Sequence, residues 1–328
     1  MSTASERADD GEESLGTVLV ALVTNLTIAA IKILAGLLGA SSALLSEGAH
    51  SIADSGNQAL LIIAIKRGDR PADRDHPFGH GKEHFFYSLL AGVCIFVAGG
   101  TFSIVDGVVS LLHPETHSGS YTIKYGVLAG SVILEAVSWL RAARQLKRQA
   151  RIKGRSLLQH VNRTTDPTVK TVAIEDSAAL VGLGLAAVGI GLHQATGNAF
   201  YDAAASLAIG VLLMVVAVVL IHDSKGFLVG QAAEPAVRDG VRSMLEAYPE
   251  VTSVVELMTQ IMGPHELLVA ARVDIDDNLT GRQIEDVSTR IEGDLHHAYA
   301  DVTQVFLDAT RATVRWRPPG GSPKANRP

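Results

Sequence analysis

The sequence predicts an α-helical membrane protein in which a bundle of six membrane-spanning helices is followed by a small α+β domain. Three observations lead to this prediction. Hydrophobic residues make up 47% of the 328 residues and charged residues only 19%, whereas about 25% of a usual soluble domain is charged. The long apolar runs are confined to residues 16–222. The basic residues are also sorted between alternate connections of those runs, which buried soluble helices would not require.

Six segments reach the length of about 20 residues that a helix needs to cross a bilayer. They lie near residues 16–38, 42–65, 86–112, 122–141, 171–193 and 199–222. The connections after the first, third and fifth segments contain no Lys or Arg, whereas those after the second and fourth are strongly basic. Because basic loops remain on the cytoplasmic side of a membrane, we expect both termini to be cytoplasmic.

The ends of the chain differ from the bundle. Residues 1–15 are acidic and rich in small side chains, so we expect a disordered tail and not a signal peptide. Residues 223–314 have the composition of a soluble domain, and residues 315–328 form a Pro/Gly/basic tail that we also expect to be disordered. The pattern within the soluble domain predicts a helix, two strands, a helix and a strand, at residues 236–247, 251–262, 265–276, 280–299 and 302–313.

Several classes of function are disfavoured by composition. The formal net charge of −6 argues against a nucleic-acid partner. The single cysteine, Cys94, excludes an internal disulfide and a thiolate metal cluster within one chain. We find no nucleotide-binding Gly-Lys motif, no nucleophile–base pair and no redox cysteine, so we predict that the protein is not an enzyme and has no cofactor.

The second predicted span carries ionisable side chains within an apolar run. His50 and Asp54 are four residues apart and share one face of a helix. An imidazole nitrogen with a carboxylate oxygen suits zinc and its first-row neighbours. Within a bilayer such groups are costly and usually mark an ion or proton path. Because Glu175 and Asp176 place two carboxylates in the fifth span, we predict a metal site between these two spans.

A second candidate metal site lies in the connection after the second span. Asp73, His76 and His80 are spaced so that a turn and one helical step could bring them to one ion. Histidine-rich tracts often bind metal, although a solvated polar loop is the alternative interpretation.

Four sequence stretches together resemble the cation diffusion facilitator family. They are Leu44-Leu45-Ser46-Glu47-Gly48-Ala49-His50-Ser51-Ile52-Ala53-Asp54-Ser55, His76-Pro77-Phe78-Gly79-His80-Gly81-Lys82, Asp202-Ala203-Ala204-Ala205-Ser206 and Leu228-Val229-Gly230. The resemblance covers roughly residues 16–312. It implies a homodimeric, proton-coupled exporter of divalent metal, most often zinc, in the cell membrane. It also implies a ferredoxin-like, metallochaperone-like fold for the αββαβ cytoplasmic domain.

The resemblance also implies a set of metal ligands. In the transport site these are His50, Asp54 and Asp176, but the fourth position is Val172, where relatives commonly have His or Asp. Either three protein ligands and water complete the site, or Glu175 substitutes. Because adjacent helical residues point about 100° apart, the second alternative would need a helix rotation or a local bulge.

The other implied sites match to different degrees. Asp73, His76 and His80 all match the loop site of the family. The regulatory positions of the cytoplasmic domain, near Val255, Arg272 and Leu307, lack ligand side chains.

The leading functional hypothesis is export of Zn²⁺ from the cytoplasm by alternating access in exchange for protons. One alternative is efflux of Mn²⁺, Fe²⁺, Co²⁺ or Ni²⁺ by the same fold. Another is a membrane metal sensor that does not transport. We expect as partners the metal ion, protons, a second copy of the chain and anionic lipid near the basic run 141–155.

Overall fold

The computed structural model describes residues 4–38, 42–112, 121–152 and 154–311. The side-chain description begins at Glu12 and leaves out residues 35, 36, 38, 42–50 and 53. The chain divides into two compact units, whose sequence boundary is at Gly230–Gln231.

The first unit is helical throughout. Its helices are α1 (Ala4–Leu38), α2 (Ser42–Gly68), α3 (Lys82–Cys94), α4 (Phe102–Leu112), α5 (Tyr121–Ile152), α6 (Leu157–Arg163), α7 (Pro167–Thr196) and α8 (Phe200–Val229). A π-helical turn, Ile95–Thr101, joins α3 to α4, so the third predicted span is one long helix with a local bulge. Helix α8 continues beyond residue 222, to Val229.

Five helical segments are long and apolar enough to cross a membrane: Glu12–Leu34, Lys82–Leu112, Tyr121–Ile152, Pro167–Thr196 and Phe200–Val229. The predicted span 42–65 falls on α2, whose first side chains lie outside the described ones. The count of six spans therefore remains a prediction. Large apolar side chains such as Val23, Leu34, Ile133 and Val181 are exposed on the outside of the helices, as expected for surfaces that contact lipid.

The first helix begins earlier than the sequence predicts. Residues 4–15, expected to be a disordered tail, belong to α1. Side-chain contacts account for the difference. Glu13 forms an ion pair with Arg148 of α5, and the Ser14 hydroxyl donates to Oδ2 of Asp166 over 2.9 Å.

Helix α7 is anchored at its first turn. Asp166 caps the helix, because its Oδ1 accepts a hydrogen bond from the Thr168 backbone N–H over 2.9 Å. The same carboxylate accepts from Ser14 of α1, whose oxygen in turn accepts from Nε2 of Gln145 on α5 over 3.1 Å. Lys170 forms an ion pair with Asp223 of α8 at 2.6 Å. Helix α7 is thus attached at this end to α1, α5 and α8.

The apolar core of the bundle lies near the same end. It is formed by buried side chains of five helices: Val18, Ala21, Leu61, Ile65, Ala91, Ala142, Leu146, Val169, Val172 and Ala173. Val172 is fully buried within it.

The second unit is a small domain built around a three-stranded sheet. Its elements are α9 (Pro235–Glu246), β1 (Val251–Gly263), β2 (Glu266–Ile275), α10 (Gly281–Ala298) and β3 (Val302–Ala309). The strand order is β1-β2-β3, and β2 pairs with β3 in parallel. The residues predicted as strands at 251–262 and 265–276 form β1 and β2. Apolar side chains of the helices and of β2 are buried, among them Leu245, Val269 and Ile291.

The π-helical turn packs closely against α8. A Cβ atom added at Gly210 of α8 would lie 2.9 Å from the backbone nitrogen of Ile104 and 3.1 Å from the carbonyl oxygen of Gly100. Backbone atoms cannot move aside as a flexible side chain can. The close approach of these helices therefore requires glycine at position 210.

We predict that Gly210→Ala lowers the free energy of unfolding by about 1–3 kcal/mol, the usual cost of overpacking. Unfolding in mixed micelles, followed by circular dichroism, measures the change. Gly130→Ala in α5 is the matched control, because a Cβ there meets nothing within 4 Å. Equal stability of the two variants would contradict the packing argument.

Candidate metal-transport site

Three polar side chains lie on one face of α2, inside the bundle. Asp54, Asn57 and Gln58 are at positions i, i+3 and i+4, so they follow one another along the helix. Asn57 is 2% exposed and Gln58 is fully buried. One turn before Asp54, the Ser51 hydroxyl accepts a hydrogen bond from Nζ of Lys32 on α1 over 3.2 Å. This face of α2 is thus a buried polar stripe.

Helix α7 brings two adjacent carboxylates to different neighbours. Asp176 is 2% exposed, and its Oδ2 accepts a hydrogen bond from the Ser138 hydroxyl of α5 over 2.6 Å. Glu175 accepts hydrogen bonds from Nδ2 of Asn57 over 3.2 Å and from Nε2 of Gln58 over 3.0 Å. Glu175 therefore faces α2 within an uninterrupted α-helix. The bulge or rotation considered from the sequence is not needed to bring it there.

Four carboxylates are close enough to influence one another. Glu175 interacts electrostatically with Asp54, Asp176 and Glu135 of α5. Glu135 also interacts with Lys32. Like charges inside a low-dielectric bundle repel strongly, so a cation or bound protons must neutralise part of this cluster. A divalent cation with carboxylate ligands would do so directly.

Position 172, where the family resemblance implies a ligand, is part of the apolar core. Val172 lies one turn before Asp176 on α7 and packs with Leu61 and Ala142. Its side chain offers no ligand atom, and the cluster around it is apolar. The polar side of α7 that meets α2 begins at Glu175.

Glu175 thus interacts electrostatically with both Asp54 and Asp176, while the Asp176 side chain is hydrogen-bonded to α5; a metal site between spans 2 and 5 remains a prediction. His50 is part of α2, but its side chain lies outside the described ones. The prediction did not include Glu135, Lys32 and Ser138 in the site. Glu135 and Lys32 could have been found, because an ionisable residue within an apolar span is itself a functional signal.

The second candidate site is assembled by the loop after α2. The ligand atoms of Asp73, His76 and His80 lie within 4.8 Å of one another. His80 Nε2 is 3.0 Å from Asp73 Oδ2, and His76 Nδ1 is 3.3 Å from Asp73 Oδ1. The local fold helps, because Oδ1 of Asp73 also accepts the backbone N–H groups of Asp75 and His76. Such a turn fixes the carboxylate beside both imidazoles.

Within this loop site, the Asp73 carboxylate and the His80 imidazolium stabilise each other's charged form. The hydrogen bond from His80, followed by the backbone N–H of His76, lowers the pKa of Asp73. The hydrogen bonds to Asp73 and Glu83 raise the pKa of His80 above its ordinary value of 6.5. A metal ion must displace the proton of His80, so binding weakens as the pH falls through that raised pKa.

In the second unit, the positions where the family resemblance implies regulatory metal ligands have residues that make other interactions. Arg272, for example, donates from Nε to Oδ2 of Asp308 over 2.9 Å. Within the described residues, the loop trio is the one group of three or more potential ligands whose ligand atoms all lie within 4.8 Å of one another.

Two family models match the two units of the chain. The cation efflux transmembrane domain matches residues 18–229, and the cytoplasmic domain of cation efflux proteins matches residues 233–308. The chain belongs to the cation efflux family. Its members are integral multi-pass membrane transporters and not enzymes, which agrees with both predictions from the sequence.

Similar proteins include transporters named for different metals. A mitochondrial proton-coupled zinc antiporter of Xenopus laevis is 35% identical over 265 residues, which are 81% of this chain and 47% of that protein. Its human counterpart is 34% identical, over 81% of this chain and 46% of that protein. A manganese efflux system protein of Bacillus subtilis is 25% identical, over 93% of this chain and 97% of that protein. The chain thus spans about half the length of the zinc antiporters that it matches.

We predict that Asp73→Asn lowers the pKa of His80 towards 6.5, because the variant loses the carboxylate that stabilises the imidazolium. Titration of histidine-labelled protein by NMR measures the midpoint. Asp75→Asn is the control, since it alters a neighbouring exposed carboxylate whose side chain is not hydrogen-bonded to His80 in the described part of the chain. An unchanged midpoint in Asp73→Asn would refute the conclusion that Asp73 raises the pKa of His80.

Proposed function

We propose that the protein exports Zn²⁺ from the cytoplasm by alternating access, in exchange for protons, as a homodimer in the cell membrane. The observation that carries the proposal is the buried polar contact between α2 and α7, in which Glu175 is hydrogen-bonded to Asn57 and Gln58 and interacts electrostatically with Asp54 and Asp176. Carboxylates of two helices inside the bundle are not fully hydrated, so they can act as ligands for a cation. Such groups mark ion paths in membrane proteins.

Competition between metal and protons couples the two fluxes. The ligands must be deprotonated to bind metal. Metal arriving from the cytoplasm displaces protons from the carboxylates and from His50, and protons arriving from the other side release it. Histidine titrates near neutral pH, so His50 is our candidate for a proton carrier. The proton gradient, and not ATP, would supply the energy.

Glu175 supplies the ligand that is absent at position 172. Val172 is buried among apolar side chains, and Glu175 faces α2 beside Asp54. This arrangement favours Glu175 over a site completed by three protein ligands and water.

Other features of the chain support the remaining parts of the proposal. The match to the cytoplasmic domain of cation efflux proteins supports a homodimer, and the positions of the basic connections support cytoplasmic termini. The similar antiporters are named as mitochondrial, so the membrane in which the protein resides is our proposal. The loop trio of Asp73, His76 and His80 is proposed as an accessory metal site.

Efflux of Mn²⁺ is the second candidate function. The ligands described in the bundle are all oxygen atoms, which harder ions prefer, and one similar protein is named for manganese efflux. A metal sensor without transport is less favoured, because it would not need a carboxylate cluster inside the membrane.

We predict that Asp176→Asn abolishes metal uptake into proteoliposomes under an imposed proton gradient, because the site loses a charged ligand. Zn²⁺, Mn²⁺, Co²⁺ and Fe²⁺ are tested singly, and the ion moved fastest identifies the substrate. Asp239→Asn, an exposed carboxylate of α9, serves as control and should transport normally. Gradient-dependent flux through Asp176→Asn would exclude the site, and binding without flux in the native protein would favour the sensor.

Variants at positions 172 and 175 test which of the two positions supplies the fourth ligand. We predict that Glu175→Gln reduces flux at least tenfold. Val172→His should leave flux no higher than in the native protein and should lower the unfolding temperature, because an imidazole enters an apolar core. A gain of flux in Val172→His, with Glu175→Gln fully active, would show that Glu175 is not a ligand.

A further inference from the structure

Two buried amide oxygens in the bundle lack a hydrogen-bond partner. Asn57 is 2% exposed and Gln58 is fully buried. Oδ1 of Asn57 and Oε1 of Gln58 accept no hydrogen bond from the part of the chain that the structure describes. Buried polar atoms are almost always hydrogen-bonded, so two such oxygens on adjacent residues call for an explanation.

The amide groups that carry both oxygens contact the Glu175 carboxylate. Their nitrogens donate to Glu175 over 3.2 and 3.0 Å. The oxygen and the nitrogen of one amide are bonded to the same carbon atom. Each unpartnered oxygen therefore lies one amide group away from the carboxylate of Glu175.

The surroundings of this cluster call for a positive partner. Glu175 interacts with the nearby carboxylates of Asp54, Asp176 and Glu135. An amide oxygen has a partial negative charge and adds to this field. A cation would satisfy both unpartnered oxygens and neutralise part of the charge at the same time.

An amide side chain can either donate a hydrogen bond or offer an oxygen to a cation. A half-turn of the terminal torsion exchanges its oxygen and its nitrogen, since the two ends are nearly equal in shape. The nitrogens of Asn57 and Gln58 donate to Glu175. A bound cation would attract the oxygens instead, with no change in the charge of either residue.

We propose that Asn57, Gln58 and Glu175 form an oxygen-only binding site for a divalent cation, next to Asp54. This inference rests on the proposed function and specifies its ligands: the amide oxygens add to the ligand that Glu175 supplies in place of position 172. Carboxylate and amide oxygens without imidazole or thiolate suit hard cations such as Mn²⁺. Asn57 and Gln58 are thus residues that shift metal preference towards such ions.

The position of the site along α2 gives it a place in the transport path. Asn57 and Gln58 lie about one turn closer than Asp54 to Gly68, where α2 ends. The basic connection that follows is the one we assign to the cytoplasm. An ion arriving from that side would reach the amide oxygens before it reached Asp54.

Equilibrium binding of Mn²⁺ tests the proposal. The full chain is purified with His80→Ala as the parent background, so that the loop trio is incomplete, and free Mn²⁺ is measured by electron paramagnetic resonance. The double change Asn57→Leu with Gln58→Met removes both oxygens at similar volume. We expect Mn²⁺ binding at least tenfold weaker than in the parent, with Zn²⁺ affinity changed less than threefold.

Two further variants separate ligation from a merely structural role. Gln145→Met removes a buried amide of the same size that contacts Thr17 and Ser14 instead, and it should bind Mn²⁺ within threefold of the parent. Gln58→Glu keeps a side-chain oxygen and loses the donor. It should bind Mn²⁺ at least as tightly as the parent, whereas a residue that only donates to Glu175 would lose affinity in this variant.

The proposal is overturned if the double variant binds Mn²⁺ within threefold of the parent, or if Gln145→Met weakens binding equally. If the double variant fails to fold, as judged by size-exclusion chromatography, the result for Gln58→Glu decides. The measurement needs no gradient and no flux. A native protein that moves no metal would therefore refute the export proposal and leave the binding comparison intact.

Discussion

The cost of burying carboxylates inside a membrane-spanning bundle is the constraint on which the structure depends. Glu175 and Asp176 lie within a helix that is apolar enough to cross a membrane, and their charges add to those of Asp54 and Glu135. Hydrogen-bond donors described near them lower that cost: Ser138 at Asp176, and the two amides of α2 at Glu175. We propose that a bound cation compensates the remaining negative charge.

The two carboxylates of α7 face different helices because of helical geometry. Successive residues point about 100° apart, so Asp176 meets α5 and Glu175 meets α2. Val172 shares the face of Asp176 but lies deeper in the apolar core near the start of α7. Position 172 therefore contributes to core packing, and Glu175, three residues later, faces α2.

The pattern of apolar runs was sufficient to predict much of the architecture. The runs indicated the membrane helices, although α7 begins at Pro167, four residues before the predicted span 171–193. The predictions that failed concern contacts between distant residues. Nothing in residues 4–15 indicates that Glu13 and Ser14 have partners on α5 and at the start of α7. Likewise, the one-dimensional pattern places Glu135 in a span but does not show which neighbour it faces.

The anchoring of α7 has a mechanical consequence. Its capping residue, Asp166, is hydrogen-bonded to Ser14 of α1, and that serine is bonded to Gln145 of α5. Sliding α7 along its axis would break the hydrogen bond between Asp166 and Ser14, whereas tilting the three helices together would preserve this chain of bonds. Helices α1, α5 and α7 would then move as one rigid body. The carboxylates of α7 would move with that body relative to α2.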